Sequence, residues 1–175
     1  MKLLALAMFA VFAVSISTTY ADTVTIRPDG QGARIGWSNH GCGSGIREWR
    51  CVDEEIANTS DYLSTSSNGT KETFAFSDAE LPLNTTVESV TLYYLAKEHG
   101  HPGNNCFAAL VRSDSTEYLS DEQLCVGSDW AYVGHTYTTN PATGLPWTLD
   151  EVNELEAGMY ALDPNGGGRV AQVYG

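Results

Sequence analysis

The chain reads as an all-β, jelly-roll-like two-sheet β-sandwich with one short helix at about 148–157. Three observations predict this. Short runs of alternating or continuous apolar residues recur along the chain, Gly, Pro, Asn and Asp separate them, and a single segment carries helix-start chemistry. No internal repeat is present.

Asp22 to Arg27 sets Val24 and Ile26 against Thr23 and Thr25, which predicts a first strand closed by the turn Pro28-Asp29-Gly30. Ala33 to Trp37 is a second apolar stretch. Asn39 to Gly45 is a Gly-rich loop, and Glu48 to Ile56 reads as a strand carrying Trp49 and Cys51. Ala57 to Thr70 is rich in Ser, Thr and Asn, with Asp61-Tyr62-Leu63 as a brief ordered element. Lys71 to Ser77 alternates, with Phe74 and Phe76 on one face.

Val90, Leu92, Tyr94 and Ala96 share one side of the next strand, with Thr91, Tyr93, Leu95 and Lys97 on the other. Both sides are partly apolar, as in a central sandwich strand. Glu98 to Asn105 reads as a turn, so Cys106 to Arg112 is expected to return as the second arm of a hairpin. Tyr118-Leu119 and Trp130 to Thr138 follow as strands. Thr148 with Glu151 three residues on forms a capping box, Asp150 and Glu151 suit the positive end of a helix dipole, and Gly158 stands where a C-cap belongs. Met159 to Leu162, a turn over 163–168 and a last strand at Arg169 to Tyr174 complete the order.

The ends and the composition restrict the setting. Lys2, the apolar run Leu3 to Ile16 and Thr19-Tyr20-Ala21 together read as a cleaved secretory signal over 1–21, too short for a membrane span. A single domain over 22–175 remains, enough to bury ~70% of its unfolded surface. With 22 acids against 9 Lys/Arg and a net charge of −13, the surface repels phosphate backbones and anionic lipid, which excludes nucleic acid as a partner. No further apolar segment is long enough to span a bilayer. The setting expected is extracellular: secreted, on a cell surface or in a matrix.

Cys42, Cys51, Cys106 and Cys125 allow three pairings in an oxidising compartment. Their spacing favours the local one, Cys42–Cys51 with Cys106–Cys125, over a zinc site, which lacks a C-x-x-C pair. No cofactor is required. Asp53, Glu55 and Asp61 are the candidate ligands of a structural Ca²⁺, set against the simpler reading of solvated acidic loops. The sequons at Asn58, Asn68 and Asn84 are candidate glycosylation sites in polar stretches. His40, His99, His101 and His135 show no metal-ligand spacing with a third partner. No nucleophile elbow is present, so no enzyme is expected. Trp37, Trp49, Trp130 and Trp147 serve first as core and loop anchors, and second as rings on which a sugar would stack.

Further blocks of sequence carry a resemblance. They are Val52-Asp53-Glu54, Asp61-Tyr62-Leu63, Lys71-Glu72-Thr73-Phe74, Phe76-Ser77-Asp78 and Val87 to Lys97, then Asn140-Pro141-Ala142-Thr143-Gly144 with Pro146-Trp147-Thr148, Glu151-Val152-Asn153, Leu155-Glu156-Ala157-Gly158 and Arg169 to Tyr174. With these the chain resembles a family of secreted, surface and phage-virion modules of bacteria and archaea. The block 140–158 is its most specific part. The resemblance implies a single β-sandwich used as a building or display unit, without an assigned active site. The cysteines, the Asn39–Cys51 region and the sequons look particular to this chain.

The first function expected is a structural subunit of an extracellular filament, tubule or surface layer. It would self-associate into a homopolymer by exchange of terminal strands, with Val24 and Ile26 at one end and Val170 and Val173 at the other. The alternative is an adhesin-like module that binds carbohydrate, with glycans as partners, or another surface.

Overall fold

In the computed structural model, residues 22–43, 45–82, 85–98, 105–162 and 168–175 are described. The sequence-based signal segment, His99, His101, the sequon at Asn84 and most of the two turns expected at 98–105 and 163–168 lie outside them.

Two antiparallel sheets pack face to face, as the pattern of short strands predicts. One holds β1 (Pro28–Ile35), β4 (Lys71–Phe76), β10 (Glu156–Ala161), β6 (Asn105–Ser113) and β7 (Thr116–Leu119) in that order, with β8 (Leu124–Val126) also paired to β6. The other runs β2 (Ser38–His40), β3 (Tyr62–Ser64), β11 (Gly168–Tyr174), β5 (Val90–Glu98), β9 (Ala131–Tyr137). We call these the first and second sheets. A 3-10 turn at Glu48–Cys51 and the helix α1 (Leu149–Asn153) are the helical elements described.

The core lies between the sheets. Phe74, Phe107, Ala109, Val111 and Met159 of the first sheet and Leu63, Leu92, Tyr94, Val170 and Val173 of the second are almost wholly buried. Tyr94 meets Phe107 edge to face across the gap, with ring centroids 5.1 Å apart, and Trp147 closes one end by donating from Nε1 to the Tyr137 carbonyl at 3.1 Å. The local cysteine pairing holds: Cys42–Cys51 and Cys106–Cys125 are both bonded, the second directly across the β6–β8 ladder.

The structure departs from the sequence reading in four places. The first strand is at Pro28–Ile35, where a turn was expected, and 22–27 joins no sheet ladder. Pro28 is tolerated because β1 is an edge strand, and two register shifts against β4 absorb the glycines. Glu48 to Ile56 contains the 3-10 turn rather than a strand, since the Cys42–Cys51 bridge draws the segment into a tight loop. β5 and β6 are not a hairpin, because β5 belongs to the second sheet and β6 to the first. The capping box at Thr148 and Glu151 forms as expected, but the helix stops at Asn153 and Gly158 is not its C-cap. Gly158 sits inside β10, where a Cβ would lie 1.9 Å from the Glu72 carbonyl oxygen of β4. Close backbone approach, rather than helix ending, explains that glycine.

The terminal segments close on one another. The Ile26 N–H donates to the Gly175 carbonyl at 2.8 Å, and the Gly175 N–H returns to Ile26 at 2.9 Å, with Ile26 buried. β11 is flanked by β3 and β5, so both of its edges are already paired and Val170 and Val173 face the core.

Candidate functional site

The outer faces of the two sheets differ in kind. On the first sheet, polar side chains satisfy one another. Glu117 of β7 takes ion pairs from Arg34 and Lys71, Arg112 pairs with Glu156 at 2.5 Å, and Thr73 donates to Glu156 at 2.6 Å. Glu117 is accordingly held below the usual carboxylate range, chiefly by its hydrogen bond from Lys71. Surface pairs of this sort are closed to a ligand unless they are first broken.

The second sheet turns aromatic rings outward. Alternation along β5 puts Tyr93 and Lys97 on this face, and pairing with β11 and β9 aligns them with Tyr174, Arg169 and Tyr132. The short strands β2 and β3 add His40 and Tyr62. The rings form two groups. His40 stacks on Tyr62 at 5.0 Å, and Tyr62 tilts against Trp130 at 6.1 Å. Tyr93 stacks on Tyr174 at 5.0 Å, with Tyr132 edge-on to Tyr174 at 6.1 Å. Tyr93 and Lys97 are four residues apart on β5, so the two groups are separated by ~13 Å along the strand. Tyr132 is 54% exposed and Tyr93 40%, whereas a ring belonging to the core would be covered.

Polar groups lie among these rings. The Tyr132 hydroxyl donates to Gln172 Oε1 at 2.8 Å, while Gln172 Nε2 donates to the Glu54 carbonyl at 2.5 Å. Gln172 is therefore fixed in one amide orientation between the two groups. Ser64 Oγ and His40 Nε2 are 2.8 Å apart. Arg27 lies over the Tyr174 ring at 5.6 Å, Lys97 over Trp130 at 4.9 Å, and Arg169 over Tyr62 at 5.0 Å. Tyr174 is raised above its ordinary pKa, first by burial and then by the neighbouring tyrosines, so its hydroxyl stays a donor at physiological pH.

Of the four tryptophans singled out from sequence, only Trp130 lies on this face. Trp37 and Trp147 are buried at 3% and 4% exposure, and Trp49 packs against the core. The tyrosines that build most of the face were not singled out. The usable signal was Tyr93, set on the side of β5 opposite Leu92 and Tyr94.

The acids proposed for Ca²⁺ are not gathered into a ligand set. Among the described residues, no three His, Cys, Asp or Glu side chains converge to hold a metal, and Glu55 is exposed. The acid that reaches Asp61 is Glu54 rather than Glu55. Its pKa is pushed up to about 7, mainly by burial and further by the charges of Asp61 and Asp53. Glu54 Oε2 and Asp61 Oδ1 are both buried without a hydrogen-bond donor, so a proton on Glu54 finds its acceptor in Asp61. Asp53 is also raised, first by burial.

A second perturbed acid, Glu72, lies inside the sandwich. Its Oε2 accepts from the backbone N–H groups of Gly36 at 2.8 Å and Trp37 at 3.0 Å, and its Oε1 from Gln31 at 2.8 Å. Burial lifts its pKa to about 7 against those bonds. It is fully enclosed and ties the β1–β2 connection to β4, which is a structural role. The sequons at Asn58 and Asn68 are exposed. Among the described residues, no helix is long and apolar enough to cross a membrane.

No family model matches the chain, and no curated protein does. Among solved structures, the xylan-binding module CBM15 is similar at 15% identity and a TM-score of 0.43, over 87% of this chain and 95% of that one. The CBM22-1 xylan-binding domain from Paenibacillus barcinonensis Xyn10C matches at 13% identity and 0.41, over 85% and 90%. Xylanase10C from Cellvibrio japonicus, in complex with xylopentaose, matches at 12% identity and 0.41. There, 83% of this chain spans 27% of that protein. At these identities and TM-scores, the function of this chain has to be read from its own surface.

Proposed function

We propose that this chain is a non-catalytic carbohydrate-binding module working outside the cytoplasm, and that the outer face of its second sheet is the binding surface. The observation that carries the reading is the pair of half-exposed ring groups, His40–Tyr62–Trp130 and Tyr93–Tyr174–Tyr132, on one open sheet face. Rings of this kind present flat apolar faces with polar tips, which suits the C–H face and the rim hydroxyls of a sugar. The tyrosine hydroxyls supply polar contacts, with that of Tyr132 oriented by its bond to the buried Gln172. A display unit of the kind implied by the resemblance over 52–174 would use such a face for attachment.

The test is affinity electrophoresis and calorimetry against a panel of soluble polysaccharides. Tyr132→Ala and Trp130→Ala are expected to lower affinity about fivefold or more, given ~1–3 kcal/mol for a stacked ring, with thermal stability nearly unchanged. Retention of full affinity by both variants would remove this face as the site.

The filament or surface-layer subunit is the second reading. With β11 paired on both edges and Ile26 bonded to Gly175, strand donation would require unzipping the sandwich. Polymerisation would instead have to use sheet edges such as β9. Monomeric behaviour at high concentration, read by sedimentation and electron microscopy, counts against it.

A further inference from the structure

We propose that the ligand of the second-sheet face is an acidic polysaccharide, its rings seated on the aromatic groups and its carboxylate or sulfate groups met by Arg27 and Lys97. This rests on the glycan reading above and adds the ligand's charge class.

The observation is where charge falls. The chain carries 22 acids and 9 Lys/Arg, yet no outward position of β2, β3, β11, β5 or β9 is Asp or Glu. Glu98, at the end of β5, shares the parity of Leu92 and Tyr94 rather than that of Tyr93 and Lys97. Each ring group carries a cation on a ring: Lys97 on Trp130 in one, Arg27 on Tyr174 in the other. On the opposite face, Arg34, Lys71 and Arg112 are each held by a carboxylate. The two environments differ physically. A carboxylate neutralises its partner, whereas a ring orients a cation through its quadrupole and leaves the charge in place for an anion. The acids nearest the face lie at its margin. Asp61 leads into β3, the exposed Asp129 precedes Trp130, Asp53 feels the charge of Arg27, and Glu54 offers its backbone carbonyl to both Arg27 and Gln172. Glu54 itself prefers its neutral form up to about pH 7.

The net charge of −13 does not decide the matter. At physiological salt the Debye length is ~8 Å, so acids on the far side of the sandwich are screened from a polymer lying on this face. Spacing supports a polymer rather than a single sugar, because a cation accompanies each ring group and a ligand spanning ~13 Å would meet both.

The experiment is affinity electrophoresis of the disulfide-bonded chain in gels containing polygalacturonate, a sulfated galactan, neutral xylan or mixed-linkage glucan. Retardation is expected with an acidic polymer, weakening as NaCl rises. Whether polygalacturonate or the sulfated galactan retards more tells carboxylate from sulfate. Lys97→Gln and Arg27→Gln should each lower affinity about threefold to fivefold, the range of an exposed ion pair. Lys97→Arg should retain it, and Arg34→Gln on the opposite face should change nothing. Equal retardation by neutral and acidic polymers, insensitive to salt, would overturn the charge assignment and leave the glycan reading standing. No retardation by any polymer would overturn the glycan reading itself. If either Gln variant melts early, the salt titration of the unmodified chain still decides, since a salt-insensitive complex with an acidic polymer contradicts the proposal.

Discussion

The hydroxyl of Tyr94, on β5, donates to the backbone oxygen of Gly158, on β10, at 2.6 Å across the interior of the sandwich. Tyr94 is wholly buried, and burial raises its pKa well above the ordinary tyrosine value, so the proton stays on the hydroxyl. Tyr137 makes a parallel bond from β9 to the Ala109 carbonyl of β6 at 3.2 Å. Apolar contact between the sheets is non-directional. These two phenols add directional ties between the sheets, one from β5 and one from β9.

Tyr94→Phe keeps the ring against Phe107 and removes only the donor. The cost expected is about 1–3 kcal/mol, because the Gly158 carbonyl loses a buried bond that water cannot replace. Urea unfolding checks this through a lower midpoint at unchanged slope. Glycan affinity should stay within about twofold, since Tyr94 points away from the outer face.

Stability should fall as pH rises from about 4.5 to about 7. Glu72 and Glu54 both have folded pKa values near 7 against 4.5 for the free side chain, so the folded state holds more protons in that window. The stabilisation is fully present below the lower value and lost through the upper one. Glu72 is enclosed, and its share is on the order of 2–3 kcal/mol. Glu72→Gln should flatten much of this slope. Gln31 Oε1, buried without a partner, can accept from the amide nitrogen this variant introduces once Gln31 flips, while the carbonyl of the same amide keeps the Gly36 and Trp37 N–H groups. Thermal melts of both proteins across that pH range measure the difference. Parallel curves would mean that Glu72 ionises normally.

Why the fold was legible and the site was not follows from the length scale of each. The alternation over Lys71–Phe76 and Val90–Lys97 and the pairing of Thr148 with Glu151 are local, and each formed. Glu72 shares the parity of Phe74 and Phe76, so its core position was written in the same alternation. β1 was hidden because Pro28, Asp29, Gly30 and Gly32 are turn formers, and only the backbone of β4 makes them a strand. The aromatic face joins His40, Tyr62, Tyr93, Trp130, Tyr132 and Tyr174 from separate stretches of chain. No sequence window contains them together, and of the four tryptophans, read first as core and loop anchors, Trp37 and Trp147 do lie in the core.

Tryptophan fluorescence separates those roles. Trp130 should account for any spectral change on glycan binding, because Trp37 and Trp147 are enclosed and Trp49 packs against the core away from this face. Trp130→Phe should abolish the ligand-induced change with little loss of stability. Trp37→Ala should instead cost about 3–5 kcal/mol through the cavity it leaves. A ligand response that survives Trp130→Phe would place the bound sugar nearer Trp49, beside the β1 edge.

The two disulfides should contribute unequally to stability and differently to function. Loop closure over sequence separations of 9 and 19 predicts about 2.6 and 3.2 kcal/mol for Cys42–Cys51 and Cys106–Cys125 on chain entropy alone. Cys106 and Cys125 are also directly opposed in a hydrogen-bonded ladder, so the ladder still holds β8 when the bridge is cut. Cys42–Cys51 has no such support: it anchors a loop next to β2 that carries His40 at the edge of the aromatic face. Replacing Cys42 and Cys51 together by Ser should therefore lower both the melting temperature and glycan affinity. The same change at Cys106 and Cys125 should lower the melting temperature alone. Calorimetry of unfolding and of binding on the two double variants checks both halves, and equal losses of affinity would show that the Cys42 loop does not position the site.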